Sequence, residues 1–165
     1  MCLISMTPEQ KIKQLGLVLP KPLQIPEGLA LPFSWVRVRG NKAYISGHVP
    51  LNLDGTIYNV TGKLGGEVTL DQGYEAARQT ALVVLSSLKH ELGSLNRIKA
   101  WLRVFGMVNT SPGFVNTAPV INGFSDLIIE IYGKNRGAHS RAAVGMAELP
   151  FNMPVEIEAE VEISI

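Results

Sequence analysis

The sequence predicts an α+β domain in which two helices pack on one face of a mixed β-sheet. Three observations lead there. "TLDQGYEAARQTALVVLSSLKHELG" carries Tyr74, Ala77, Ala81, Val84, Leu85, Leu88 and Leu92 at spacings of three and four, the signature of an amphipathic helix. The C-terminal run "VEIEAEVEISI" alternates Glu156, Glu158, Glu160 and Glu162 with apolar residues, the period of a half-buried strand. The order strand-strand, helix, strand, helix, strand-strand then mixes long helices with hairpin-linked strands.

Each element has local support. "MTPEQKIKQLG" predicts a short helix, with Thr7 and Gln10 at capping-box spacing and Gly16 to end it. The stretch holding Pro20, Pro22, Pro26 and Pro32 predicts an extended connection. "SWVRVRGNKAYISG" predicts a hairpin around Gly40 and Asn41, and residues 51–66 a loop or edge hairpin. Thr69 or Asp71 can cap the long helix, and Gly93 can close it. "RIKAWLRVFGMVN" predicts a strand with Ile98, Ala100, Leu102 and Val104 on one side. A loop and second helix to Gly133 follow. Then come a strand over "AHSRAAVGMAEL", a turn at "PFNMP" and the last strand.

Length and composition predict one domain, residues 1–165, with a lead-in over 1–31 and the core over 32–165. The chain is 46% hydrophobic and 18% charged, with a net charge of +1. Low charge density suggests a surface covered by a partner, hence an oligomer. The near-neutral charge gives nucleic acid or an anionic membrane no strong electrostatic reason to bind. No basic leader, cleavage site or membrane-length apolar run is evident, so a cytoplasmic location is expected. The lone cysteine, Cys2, allows no internal disulfide, and Met6 offers a second start that would make residues 1–5 dispensable.

The acid row raises the functional question. Its bland reading is a solvated face. Beside it lies a strand of small residues around Ala142 and Val144, which suggests a surface built for another subunit. A simple hairpin centred near Asn152 sets residue 148 opposite 156 and Arg141 opposite Ile163. Arg141 and Glu156 then stand roughly 23 Å apart along the ladder, able to share a site only across an interface. The histidines, His48, His90 and His139, lack metal-ligand spacing, so no metal is expected. His90 suits a helix C-terminus, and His139 adjoins Arg141 as a lesser site candidate. No nucleophile elbow, phosphate loop or dinucleotide fingerprint occurs.

"NKAYISGHVP", "INGFSDLIIEIYG" and "HSRAAVGMAELPFNMPVEIEAEVEI" together closely resemble the Rid family of reactive-intermediate (imine) deaminases, also called YjgF-like or endoribonuclease L-PSP. The likeness runs from about Pro32 to the C-terminus. It implies a chorismate-mutase-like fold and a homotrimer with intersubunit clefts. It also implies cofactor-free hydrolysis of 2-imino or enamino acids to 2-keto acids and ammonia. On that resemblance Arg141 matches the arginine that binds the substrate carboxylate, and Glu156 the glutamate that orients water. Asn122, Ser46 and Ala143 match residues lining the cleft, Ala143 falling where many members have cysteine. Phe33 stands where the archetype has tyrosine, a hydroxyl that Tyr44, Trp35 or water would have to replace. The loop over residues 109–119 is longer than the archetype's. Two other readings stay open: a trimer that binds small carboxylates without efficient turnover, and the ribonuclease of the older family label.

Overall fold

A computed structural model describes residues 6–25 and 27–165; the readings of Cys2, of residues 1–5 and of Pro26 fall outside them. Helix α1 (Pro8–Gln14) begins at the expected capping box, the Thr7 hydroxyl accepting from the Gln10 amide and the Gln10 side chain from the Thr7 amide. The lead-in, which turns at residues 27–28 and bends at 32–33, leads to strands β1 (Val36–Arg39) and β2 (Lys42–His48), a hairpin turning at Gly40 and Asn41. Gly40 has φ 57°, the left-handed conformation that such a tight turn requires and glycine adopts without strain. Residues 51–66 form a loop pinned by a Leu51–Ile57 bridge.

Helix α2 (Leu70–Leu92) is capped by Thr69, not Asp71, in a second capping box, and closes at Gly93, φ 76°. Its buried stripe is wider than expected. Ala76, Thr80, Leu82 and Val83 join it while Tyr74 stays half-exposed, because the helix packs against both the sheet and a second helix. Strand β3 (Ile98–Asn109) buries Ile98, Trp101, Val104 and Val108. Ala100 and Leu102 therefore leave the expected face. Register shifts between Ile98 and Ala100 and between Trp101 and Arg103 each reset the alternation. Helix α3 spans Thr117–Gly137 with a break at Gly133, φ 72°, so the expected end is where its regular part stops. Strands β4 (Ser140–Met146) and β5 (Val155–Ile163) complete the chain.

The sheet order is β1-β2-β5-β3-β4, with β3 and β4 parallel and the other neighbours antiparallel. This corrects the expected β4–β5 hairpin. β5 lies between β2 and β3, and β4 is an edge strand. The physical reason lies in side-chain size. Val155, Ile157, Ala159, Val161 and Ile163 are all buried, a row that needs a central position, whereas β4 carries small, half-exposed residues suited to an edge. The 147–154 connection carries the chain over the end of β3. Asn109 holds it there, donating from its side chain to Asn152 and from its amide to Pro154.

Helices α2 and α3 pack together over one face of this sheet. Trp101 meets Phe124 and Tyr132 edge-on, with centroids 5.7 and 5.9 Å apart. Two glycines set the spacing. A Cβ on Gly106 would lie 2.6 Å from Ile121, and one on Gly123 would lie 2.0 Å from the Tyr74 carbonyl oxygen. Their bareness lets α3 settle onto both β3 and α2. No helix among the described residues is long and apolar enough to cross a membrane.

Candidate active site

The candidate residues fall into two groups. The first sits between α3 and β4. Arg141 pairs across the ladder with Val104, which is fully buried under the helices, so its side chain leaves the sheet on the helix side. Its guanidinium donates to the Ser125 hydroxyl at 3.0 Å and to the Ala118 carbonyl at 3.4 Å, both on α3. Asn122 is exposed and falls on the same helical face as Ala118 and Ser125. Ala143 is half-buried two residues beyond Arg141, and its carbonyl accepts from the Thr117 hydroxyl at 3.1 Å.

Arg141 is aimed from beneath by a directional chain. Ser125 accepts from Arg141 and its hydroxyl lies 3.0 Å from His139 Nε2, while His139 Nδ1 lies 2.7 Å from the Gly137 carbonyl. A carbonyl can only accept, so the imidazole proton sits on Nδ1 and Nε2 accepts from Ser125. Burial, then the Arg141 charge, push the His139 pKa down and keep the ring neutral, as this chain needs. No carboxylate lies within ion-pair distance of Arg141 among the described residues. Its charge is held in place without a direct ion pair, Asp126 of α3 acting on it only from a distance.

The second group gathers where the lead-in meets β2 and β5. Glu156 pairs with Met107 on the face away from the helices. Its carboxylate crosses directly over Gly47, where a Cβ would lie 2.0 Å from Oε1. Burial, then Glu158, raise the Glu156 pKa above the usual carboxylate value. The Ser46 hydroxyl donates to the Ser34 carbonyl at 2.7 Å, so its proton is already committed. Phe33 is 50% exposed and packs edge-on against Trp35, centroids 5.1 Å apart. Trp35 in turn packs on His48, which is 3% exposed with Nδ1 2.6 Å from the Ser46 carbonyl and Nε2 2.9 Å from the Ser87 hydroxyl. Phe33, Gly47 and Glu156 open onto one cavity of about 590 Å³.

The two groups do not meet within the chain. Arg141 and Glu156 lie two strands and three ladder positions apart, roughly 14 Å between Cα atoms, and on opposite faces of the sheet. The expected 23 Å along a shared ladder is thus corrected: β3 lies between the two strands, and it is the opposite faces that keep the residues apart. Sequence reading missed two contributors, Ser125 and Gly47, and named a third, His139, only as a lesser candidate. Ser125, the single serine of α3, sits in no motif that marks it. His139 was visible only through its adjacency to Arg141. Gly47 sits within "ISGHVP", but only the path of Glu156 explains why it must lack a side chain. The loop over residues 109–119 is anchored rather than loose, the Ser111 amide donating to the Leu64 carbonyl and Phe114 packing on Gly65.

Comparison with known proteins agrees with this architecture. Residues 9–159 match the family described as "YjgF/chorismate mutase-like, putative endoribonuclease". Protein TCP17 of Trypanosoma cruzi is 42% identical over 125 residues, covering 76% of this chain and 77% of its own. Among solved structures, the Agrobacterium tumefaciens protein Atu1372, of unknown function, superposes with a TM-score of 0.84 at 38% identity over 96% of this chain and 93% of its own. A Shewanella oneidensis protein described as a "putative endoribonuclease" superposes with a TM-score of 0.85 at 29% identity, over 96% and 100%.

Proposed function

The chain belongs to the YjgF/chorismate mutase-like family, and from that membership we propose that it is a hydrolytic deaminase of 2-imino or enamino acids, working as a homotrimer. The observation that carries the reading is Arg141: a guanidinium held by α3, facing outward, with no carboxylate of its own among the described residues. Arginine's planar fork suits a substrate carboxylate, which it binds through two parallel charge-assisted hydrogen bonds. Glu156 supplies the second function. A carboxylate with a raised pKa, half-buried beside a cavity, is suited to hold a water and take its proton as the oxygen attacks C2. Glu156 passes that proton to the nitrogen as the C2–N double bond becomes single; the new hydroxyl's proton then moves to nitrogen, the C2–N bond breaks, ammonia leaves, and the added oxygen becomes the keto group.

Opposite faces separate these two residues, so a working site needs the Arg141 of one copy and the Glu156 of another. The open sheet face offers the means. Tyr44, Phe105, Met107, Ala142 and Val144 share it with the glutamate row, and no helix among the described residues covers it. A cyclic trimer would place the α3–β4 edge of one copy against the β2–β5 end of the next.

Mixing two inactive variants tests both parts. Arg141→Ala and Glu156→Gln are each expected to lose imine hydrolysis. Co-assembled trimers of the two are expected to regain activity, with roughly a quarter of sites intact by random assortment. Recovery that fails in verified mixed trimers, with both homotrimers folded, would reject the shared site. One observation favours a second reading, carboxylate binding without efficient turnover: Phe33 brings no hydroxyl and Ser46 has already spent its own. A 2-keto acid that binds wild type in an Arg141-dependent way, with no imine hydrolysis, is its signature. The ribonuclease reading gains no support from an open face lined with glutamates.

A further inference from the structure

The cavity beside Glu156 is far larger and more apolar than a one-carbon substrate side chain requires. Its volume of about 590 Å³ lies within the ~300–1,000 Å³ typical of sites for drug-sized ligands. Its apolar walls include Ile25, Leu29 and Phe33 of the lead-in, Trp35 next to β1, Val83 of α2 and Phe151 of the 147–154 connection. Leu29, Phe33 and Phe151 remain 59%, 50% and 63% exposed, apolar surface that folding leaves uncovered at a single place. Several polar side chains around the wall are already engaged, and Lys21 brings one ammonium to its rim. Ser86 donates to the Pro20 carbonyl, Gln24 to the Asp54 carbonyl, and Ser87 is bonded to His48. Glu156 is the one carboxylate that lines the cavity.

We propose that this cavity receives the substrate's side chain, and that the preferred substrates are 2-imino acids with a bulky apolar side chain, branched aliphatic or aromatic. The inference rests on the deaminase reading above and narrows it. The substrate carboxylate engages a neighbouring copy's Arg141, C2 stands beside the water on Glu156, and the side chain lies along Phe33 toward Leu29 and Phe151. Hydrolysis replaces the imine nitrogen with oxygen and leaves the side chain unchanged, so the cavity acts on selection rather than on chemistry. The missing hydroxyl at Phe33 fits this role, since an apolar ring at the mouth favours an apolar group passing it.

The test uses an amino-acid oxidase to generate imines in place from alanine, leucine and phenylalanine, with imine loss followed by competition against a trapping amine. The leucine- and phenylalanine-derived imines are expected to exceed the alanine-derived one in kcat/KM by about tenfold or more. Leu29→Glu, at an exposed position, and Phe151→Asn, which suits the φ of 55° better than phenylalanine does, are each expected to move that ratio toward unity. Turnover that is equal across the imines, or a ratio unmoved by both variants, overturns this inference and leaves the deaminase reading standing. No turnover of any imine by folded trimer sinks that reading and this one with it.

Discussion

The Glu156 carboxylate occupies the space that a side chain on residue 47 would fill: a Cβ built on Gly47 stands 2.0 Å from Oε1 and 2.9 Å from the carboxyl carbon. The one-residue irregularity of β2 between Ile45 and His48 brings that bare α-carbon under the β5 side chain. Gly47→Ala should therefore push the carboxylate aside without unfolding the protein, since Gly47 is not at positive φ. Catalysis should fall about a hundredfold, the scale expected of a displacement near 1 Å, with the melting temperature close to wild type. Unchanged kcat at unchanged stability would show that the position of Glu156 does not matter.

Glu156→Gln should separate function from stability. Loss of the group that holds and deprotonates water is expected to lower kcat by about 10²–10⁴. Stability should move the other way. The folded pKa of Glu156 is raised, first by burial and then by Glu158, so the native state holds this proton at pH values where the unfolded chain has released it. Its contribution is full below the unfolded pKa and lost as pH rises through the folded one. At pH 7 the glutamine variant should melt above wild type, and the gap should close toward pH 4. A variant less stable than wild type at pH 7 would mean that the carboxylate has a partner that stabilises it.

Local code made most of the fold legible. Thr7 with Gln10 and Thr69 with Gln72 both form the capping boxes that their spacing suggests, and Gly93 closes α2, because each depends only on neighbours along the chain. The pairing of β4 was illegible for the opposite reason. Nothing in "PFNMP" distinguishes a hairpin turn from a crossing of β3; the choice follows from which strand most needs burial, a property of the whole sheet. The same holds for β3, whose two register shifts leave Ala100 and Leu102 off the buried face. Arg141 and Glu156 could be named from their motif. Ser125 and Gly47 could not, and His139 only as a neighbour of Arg141, since their contacts arise only when α3 and β2 have docked.

Ser125 and His139 are expected to act as positioning residues for Arg141. Ser125→Ala removes one of two hydrogen bonds to the guanidinium, a loss worth about 1.5–3 kcal/mol for a charged group, so KM should rise about tenfold to a hundredfold with kcat little changed. His139→Gln retains an acceptor that Ser125 can reach and should restore most of the affinity that His139→Leu loses. Equal KM values for the glutamine and leucine variants would assign His139 to packing alone, through its edge-on contact with Phe124 at 6.5 Å.

Acid should weaken the fold through two imidazoles, His48 buried and His139 half-buried. His48 and His139 have pKa values pushed down mainly by burial; Arg141 adds to the shift at His139, and backbone carbonyls of Ser46 and Gly137 oppose it. In the unfolded chain both titrate near ~6.5. As pH falls below that value the unfolded state takes up protons that the native state refuses, so stability is full above it and declines toward the lower folded values. Protonation would also put a hydrogen on Nε2 of each ring, where Ser87 and Ser125 now donate, forcing both hydroxyls to turn. Glu156 works in the opposite sense over a window that opens above the unfolded carboxylate pKa, near ~4.3, and so offsets part of the loss. Chemical denaturation between pH 7.5 and 5 should show stability falling with pH. The slope should be shallower in His139→Gln, whose side chain does not titrate, and steeper in Glu156→Gln, which lacks the opposing group. A slope identical in all three proteins would mean that neither residue changes its proton affinity on folding.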